Sequence, residues 1–493
     1  MILSVRTSRA PAGGRPWPVL RTRDRAQDLD WIALSAVIDD VTLRLLTARL
    51  AQEQAGHRIP SVAAGLVRDG DLVWAGGRGR IHGTSGPAPD SDVQYRAGSI
   101  TKTFIAVAVL RLRDEGRIGL SDPVGRHLDA VGSDIEDLTL GQLLAHMSGL
   151  RAETAGPWWE RTAGISLEEL TRSSLGPDAR RDRPGRRHHY SNVGYAVLGE
   201  LVARLRGRPW YDVVSGELLT PLGMTRTTLR PQPPHATGFA VHPHADLLLP
   251  EPEHDAAAMA PAGQLWTTVA DLARWAGFLA GRGPAGLLAD ASLAEMREPI
   301  GIEDYAGEPW SLGYGLGLQL WNQGGRRGYG HTGSMPGFIG VVRIDAETGD
   351  AAIALSNGTS GLNGPGLAAD LIRILAERHP RIRPEWAPAQ VAADDLDLVG
   401  TWYWGPMTVL VSVVGDQLEF RLARSGEHLF SFGRDTAGAW IGLDGYFAGE
   451  PVRKIIGPDG RVVALDLASH TYTRLPYDQA APVPGGVDPG GWR

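Results

Sequence analysis

The chain has 493 residues, of which 43% are hydrophobic and 21% charged, a composition typical of a globular protein with two or three folding units. Its formal net charge of -7 argues against nucleic-acid binding, and its lack of cysteine excludes disulfides, thiolate metal sites and cysteine nucleophiles. No apolar run reaches the ~20 residues of a membrane-spanning helix, so no membrane association is predicted.

The N-terminal segment and the first strands come next along the chain. Residues 1–28 are rich in Arg and Pro and lack the apolar core of a secretory signal. They predict a disordered leader, and cytoplasmic localisation is the resulting expectation. A first domain is predicted over residues 29–379. It opens with two strands between Ile59 and Trp74, joined by a turn at Asp69-Gly70.

A helical insertion is predicted over about residues 120–300, after a first long helix. That helix runs from Ser99 to Glu115 with a single apolar stripe and ends at Gly116. Thr139 and Gln142 have the spacing of a capping box at the start of another helix. Two further amphipathic helices are predicted over residues 191–206 and 269–280, and the Pro- and His-rich residues 231–262 between them predict a long loop.

Strand patterns return late in the chain, at Phe338–Ile344 and Ala351–Leu355, and a helix is predicted after them over residues 366–377. Strands near both ends of the domain predict one sheet assembled from the two ends. Short alternating runs beyond it favour a small all-β barrel or sandwich. The remainder of the chain is therefore predicted to contain a linker over residues 380–395, an all-β unit over residues 396–478 and a flexible tail over residues 479–493.

Ser99 and Lys102 form the first motif that indicates chemistry. They lie three residues apart at the start of a predicted helix, so their side chains share one face. Serine becomes a nucleophile when a neighbouring base takes its proton, and a buried lysine with a lowered pKa can do so. The chain contains only one other lysine, Lys454, so Lys102 stands out in an Arg-rich sequence. The alternative is a solvated helix start with a surface lysine.

Two further motifs are weaker when taken alone. Tyr190-Ser191-Asn192 precedes a helix, where simple N-capping is the alternative to a catalytic role. Tyrosine next to lysine can have a lowered pKa and relay protons. His331, Thr332, Gly333 and Ser334 end a predicted strand, where small residues let a substrate pair with the backbone; the alternative is an ordinary turn. The histidines between residues 235 and 254 lack metal-site spacing and favour a solvated loop.

In this order, S-x-x-K, Y-S-N and H-T-G resemble the motifs of the beta-lactamase-related serine hydrolase family, which includes class C beta-lactamases, DD-peptidases, D-aminopeptidases and esterases. The segments Leu143–Gly149, Pro261–Thr267, Tyr314–Gly317 and Ile353–Gly358 also look like family landmarks. The resemblance covers residues 40–378. It implies an α/β fold, in which an antiparallel sheet is flanked by helices with an inserted helical domain, and the all-β C-terminal unit resembles barrels appended to some relatives.

The resemblance also implies roles for individual residues. Ser99 would be the nucleophile, Lys102 and Tyr190 would share proton transfer, and Asn192 would hold the acyl-side amide of the substrate. His331 and Thr332 would contact a substrate carboxylate or flanking polar group. The backbone N–H groups of Ser99 and Ser334 would form the oxyanion hole. No metal or cofactor is implied.

The expected function is that of a serine hydrolase acting through an acyl-enzyme on small esters, D-amino-acid amides or peptides. Histidine stands at position 331, where class C beta-lactamases carry lysine, so at most weak beta-lactam hydrolysis is expected. Because histidine titrates near pH 6.5, the charge at His331 is expected to depend on pH. The alternatives are a penicillin-binding or ligand-sensing protein that does not turn over, and a DD-carboxypeptidase. The sequence does not define the oligomeric state.

Overall fold

The computed structural model describes residues 38–476, apart from residues 130, 133 and 389. The chain divides into two compact units between Arg381 and Ile382. The predicted leader and tail, residues 1–28 and 479–493, lie outside the described residues. Within the described part of the chain, no helix combines the length and the apolar character needed to cross a membrane.

An antiparallel sheet forms the centre of the first unit. The strands of this unit are β1 Ser61–Arg68, β2 Asp71–Gly79, β3 Tyr95–Arg96, β4 Phe239–Val241, β5 Leu248–Pro250, β6 Trp266–Thr267, β7 Gly301–Ile302, β8 Leu312–Tyr314, β9 Gln319–Gln323, β10 Arg326–Met335, β11 Phe338–Asp345 and β12 Ala351–Ser356. Eight of them form the sheet, in the order β2-β1-β12-β11-β10-β9-β8-β7. Strand β1 pairs directly with β12, with Ala64 opposite Ala354. The prediction of one sheet from both ends of the domain is confirmed.

Helices cover both faces of this sheet. They are α1 Asp40–Gly56, α2 Thr101–Asp114, α3 Leu140–Leu144, α4 Leu167–Ser174, α5 Asn192–Arg206, α6 Trp210–Val214, α7 Ala260–Gly263, α8 Val269–Gly277, α9 Asp290–Glu295 and α10 Gly364–Arg378. Helices α1 and α10 pack on one face through Leu46, Leu50 and Leu371, and a larger core that includes α2, α5 and α8 lies on the other. The capping box of Thr139 and Gln142 starts α3, as predicted.

Two predicted elements differ in the structure. Helix α2 was expected to bury one stripe, but residues 104–110 are buried on every side because the helix lies between β10, α5 and α7. The long loop predicted over residues 231–262 instead contains the β4–β5 hairpin and ends in α7. The second strand of that hairpin, β5, overlaps the apolar run Leu247–Leu249, although Leu247 and Leu249 are exposed.

The second unit is a nearly closed antiparallel barrel. Its elements are α11 Ala393–Leu396, β13 Gly400–Trp404, β14 Met407–Val414, β15 Gln417–Leu422, β16 His428–Arg434, β17 Trp440–Gly442, β18 Val452–Ile456, β19 Val462–Leu467 and β20 His470–Thr473. The strand order is β17-β16-β15-β14-β13-β20-β19-β18, and a bridge between Ile441 and Pro451 brings the two edge strands together. Inward-facing Trp402, Phe420 and Phe432 fill the interior. The predicted all-β unit is confirmed as a barrel.

Candidate active site

Ser99 lies in a tight turn between β3 and α2. Gly98, just before it, has a φ of +55°, and a Cβ at this position would lie 2.4 Å from the backbone nitrogen of Ser334. Only glycine tolerates both the left-handed backbone and this close approach. The turn therefore brings Ser99 close to β10. It also places Ser99 at the N-terminal end of α2, where free backbone N–H groups and the helix dipole favour negative charge.

Lys102 lies one helical turn beyond Ser99 and is fully buried. Its Nζ donates hydrogen bonds to Ser99 Oγ at 2.9 Å and to the carbonyl oxygen of Ala262 at 2.7 Å. Burial lowers the pKa of Lys102 to about 7, against the opposing effect of the nearby carboxylates of Glu153 and Glu160. A large fraction of Lys102 is thus neutral near pH 7, and the neutral amine can accept a proton from Ser99.

Tyr190 lies beside both Ser99 and Lys102. The Nζ of Lys102 is 5.0 Å from the centre of the Tyr190 ring, and the Tyr190 hydroxyl contacts the Ser99 side chain. A lowered pKa was expected for Tyr190, but the structure gives the opposite, because burial raises the pKa above its usual value. The phenol is therefore neutral at pH 7. It can pass a proton between its neighbours, and Lys102 is the better proton acceptor.

Asn192 is the first residue of helix α5. The capping role considered for this motif belongs to its neighbour Ser191, whose Oγ accepts a hydrogen bond from the N–H of Gly194 at 3.1 Å. The Nδ2 of Asn192 donates to Glu153 Oε1 at 2.7 Å. A carboxylate only accepts hydrogen bonds, so this contact fixes which end of the amide faces Glu153. The Oδ1 of Asn192 is thereby turned away from Glu153.

Glu153 was not identified from the sequence, although its carboxylate lies close enough to Lys102 and Tyr190 to influence the pKa of both. Besides Asn192, it accepts a hydrogen bond from Trp159 Nε1 at 2.6 Å. Glu160 lies nearby, and its pKa is raised by partial burial and by the charge of Glu153. Neither carboxylate is part of an ion pair within 4.0 Å in the described residues. These two carboxylates therefore lie near each other and near the cations Lys102 and Arg96, and no sequence motif marks them.

The outer edge of β10 faces the Ser99 turn. Strand β9 pairs with β10 only as far as Gly330, so β10 is not paired with β9 from His331 onwards. The backbone N–H of Thr332 donates to Gln319 Oε1 at 2.9 Å on this edge. Because N–H directions alternate along a strand, the N–H of Ser334 points to the same edge. A Cβ on Gly333 would lie 1.9 Å from the carbonyl oxygen of Ala97, which shows how closely β10 approaches the turn.

His331 does not occupy the position expected from the sequence. Its side chain is fully buried, with Nε2 hydrogen-bonded to the Tyr314 hydroxyl at 2.8 Å and Nδ1 bonded to the carbonyl oxygen of Thr332. Side chains alternate along a strand, and this one points into the interior rather than to the cleft. Burial and the nearby charge of Lys102 lower the pKa of His331 to about 3. The expectation of titration near pH 6.5 is therefore wrong, whereas substrate contact through His331 stays a prediction that this burial does not favour.

Thr332 lies on the opposite side of β10 from His331 and is partly exposed. Its Oγ1 donates to Gln319 Oε1 at 3.1 Å, so Gln319 is a second residue near the site that the sequence did not reveal. In the histidine-rich segment the rings of His242 and His244 are 6.1 Å apart, and the described residues contain no group of three His, Asp or Glu suited to a metal ion.

Comparison with known proteins supports this fold. The sequence profile of the Beta-lactamase family matches residues 46–377, which contain the serine, lysine, tyrosine and strand-edge motifs. The barrel matches a Domain of unknown function (DUF7586) over residues 391–474. Penicillin-binding protein 4 of Amycolatopsis lactamdurans is 30% identical over 327 residues, which cover 61% of this chain and 82% of that protein.

Two solved structures share the architecture. The octameric penicillin-binding protein homologue from Pyrococcus abyssi has a TM-score of 0.60 and 21% identity, and covers 88% of this chain and 100% of its own. A D-stereospecific amidohydrolase from Streptomyces sp. has a TM-score of 0.55 and 25% identity, and covers 68% of this chain and 98% of its own. Since the family profile matches about two thirds of the sequence, including all three motifs, this chain belongs to the beta-lactamase family.

Proposed function

We propose that this protein is a serine hydrolase that transfers acyl groups through Ser99. The observation that carries the proposal is the 2.9 Å hydrogen bond from the buried amine of Lys102 to Ser99 Oγ. In the first step, neutral Lys102 takes the Ser99 proton while Oγ attacks the substrate carbonyl carbon. The negative charge that develops on the carbonyl oxygen would be stabilised by the backbone N–H groups of Ser99 and Ser334.

Collapse of this intermediate breaks the bond to the leaving group. The proton held by Lys102 reaches the leaving oxygen or nitrogen through the Tyr190 hydroxyl, which gives one proton and receives another. Lys102 is then neutral again, and the acyl group is an ester of Ser99. In the second step a water molecule attacks this ester, and Lys102 accepts the water proton, directly or through the Tyr190 hydroxyl. The acid is then released with the proton returned to Ser99 Oγ.

The charge of the cleft indicates the substrate class. Glu153 and Glu160 lie close enough to Lys102 to influence its pKa, so a substrate ammonium group bound beside Ser99 would be attracted. Amides and esters of small amino acids carry such a group. The likeness to a D-stereospecific amidohydrolase favours the D series. Because buried His331 is neutral, it supplies no cation for a beta-lactam carboxylate, which supports at most weak beta-lactam hydrolysis.

A substrate screen tests this proposal. Purified protein is assayed with neutral acyl esters, D- and L-amino-acid amides, a D-alanyl-D-alanine peptide and nitrocefin, with Ser99→Ala as the blank. We expect turnover of esters and D-amino-acid amides to exceed nitrocefin hydrolysis. Preferred release of the terminal D-alanine would favour a DD-carboxypeptidase. Rapid acylation by a fluorescent penicillin without turnover of any substrate would favour a penicillin-binding protein and contradict the hydrolase.

Glu153→Gln is expected to weaken the hydrolysis of amino-acid amides selectively. Glutamine preserves the size of the side chain and an acceptor for Asn192, but it removes the negative charge. A charged hydrogen bond worth about 1.5–3 kcal/mol corresponds to a loss of roughly 10- to 100-fold in kcat/KM. Hydrolysis of a neutral ester by the same variant should change less than threefold.

The matched control for this variant is Glu168→Gln, which removes an exposed carboxylate from helix α4. Glu168→Gln should leave both substrates unaffected. An equal loss for the amide and the ester in Glu153→Gln would mean that Glu153 only orients Asn192 and does not recognise an ammonium group.

A further inference from the structure

His146 holds the backbone on both sides of Tyr190. Its carbonyl oxygen accepts a hydrogen bond from the N–H of His189 at 2.9 Å. Its side-chain Nδ1 accepts one from the N–H of Ser191 at 3.0 Å. Tyr190 lies between these two residues, so one residue of a different segment fixes the chain immediately before and immediately after the tyrosine.

The ring of His146 also packs against the Tyr190 ring. The two ring centres are 4.1 Å apart, with the planes tilted by 35°. His146 is fully buried, and a φ of +55° places its backbone in a region that residues other than glycine rarely adopt. Such local strain is maintained only where the surrounding structure enforces it, and it is frequent at functional sites.

The hydrogen bond from Ser191 requires a neutral imidazole. An Nδ1 atom that accepts a hydrogen bond carries no proton, so the ring proton lies on Nε2. Within the described residues, Nε2 of His146 is buried without a hydrogen-bond partner. The groups around the ring are Lys102, His188, His189, His331 and the rings of three tyrosines. Burial and the charge of Lys102 hold the pKa of His146 well below its usual range, which keeps Nδ1 free to accept.

We propose that His146 is a positioning residue that sets the Tyr190 hydroxyl against Ser99 and Lys102. The inference rests on the proposed acyl transfer and names a residue that this reaction requires without touching the substrate. Proton relay through a hydroxyl is sensitive to geometry, and a displacement of about 1 Å can cost about 10²-fold in rate. Two backbone hydrogen bonds and one ring contact leave the Tyr190 side chain little freedom to move in that way.

A double-mutant cycle between His146 and Tyr190 tests the proposal. His146→Phe keeps a ring but removes the acceptor, and it should lower kcat about 10- to 100-fold with little change in KM. His146→Asn places an acceptor near the position of Nδ1 and should recover part of the loss. In the Tyr190→Phe background, where no hydroxyl is left to position, adding His146→Phe should cost less than about threefold.

The controls separate this inference from general loss of stability. His127→Phe removes another largely buried histidine, one that is hydrogen-bonded to Asp122. It should lower the melting temperature without a comparable loss of kcat. A full 10- to 100-fold loss from His146→Phe in the Tyr190→Phe background would overturn the proposal. If His146→Phe does not fold, the same cycle is run with His146→Asn, and the same full loss in the Tyr190→Phe background overturns the proposal.

The same double-mutant cycle is also carried out with a second measurement, the rate at which a fluorophosphonate labels Ser99 in each variant. This reaction needs the activated serine but no release of product. If Ser99 is labelled but no substrate is hydrolysed, the proposed hydrolase function is contradicted. The labelling rates of the His146 variants would still test the positioning role of His146. Equal labelling rates for the wild type and both His146 variants would overturn the positioning role.

Discussion

Replacing Lys102 with methionine is expected to make the protein more stable at neutral pH while lowering kcat by at least about 10²-fold. The activity falls because methionine cannot accept the Ser99 proton. The stability rises because a buried lysine whose pKa falls from 10.5 to about 7 opposes folding. At ~1.4 kcal/mol for each pH unit, this cost is ~5 kcal/mol, and the loss of two hydrogen bonds to Ser99 and Ala262 offsets part of the gain.

The direction of the pKa change at Lys102 determines how this gain in stability depends on pH. The folded-state pKa of Lys102 lies below the unfolded value of 10.5, so the destabilisation is full below about pH 7 and disappears as the pH rises toward 10.5. The higher melting temperature of Lys102→Met should therefore be largest at pH 6–7 and absent near pH 10.5. Activity of the wild type should rise with pH through an apparent pKa near 7, which belongs to the coupled Lys102–Tyr190 pair.

Two variants complete this experiment. Lys454→Met removes the other lysine, whose Nζ donates to the carbonyl oxygen of Asp394 on an exposed surface, and it should change neither activity nor the pH profile. Lys102→Arg retains the charge but cannot lose a proton, and it should lose at least about 10²-fold in kcat. Near-normal activity in Lys102→Arg would show that Lys102 is not the base.

The second large effect is expected at Ser99. A fluorophosphonate should add one adduct to the intact protein, on the peptide that contains Ser99, as measured by mass spectrometry. Ser99→Ala should not be labelled, and its kcat should fall by about 10⁴-fold or more, as for other serine nucleophiles. The matched control is Ser85→Ala, at an exposed position in the same unit, which should behave like the wild type. An adduct on a different serine would contradict the proposed mechanism.

Local sequence patterns determined much of the fold and the reactive pair of residues. The Asp69-Gly70 turn, the Thr139–Gln142 capping box and the alternating strands each depend on residues that are close in sequence, where backbone geometry fixes which side chains meet. The same reasoning brought Ser99 and Lys102 onto one face of a helix. The low lysine content of the chain then made Lys102 conspicuous, and the structure shows the contact between the two side chains.

The environment of the site was decided by the tertiary structure. Glu153 meets Asn192 across 39 positions of the chain, and Gln319 meets Thr332 across a sheet edge, and no short pattern encodes either contact. Periodicity also does not show which face of β10 is buried beside Lys102, so the charge of His331 was mispredicted. A pKa depends on burial and on all nearby charges together. The neutral tyrosine, the neutral histidines and the lysine that titrates near 7 therefore follow only from the packed structure.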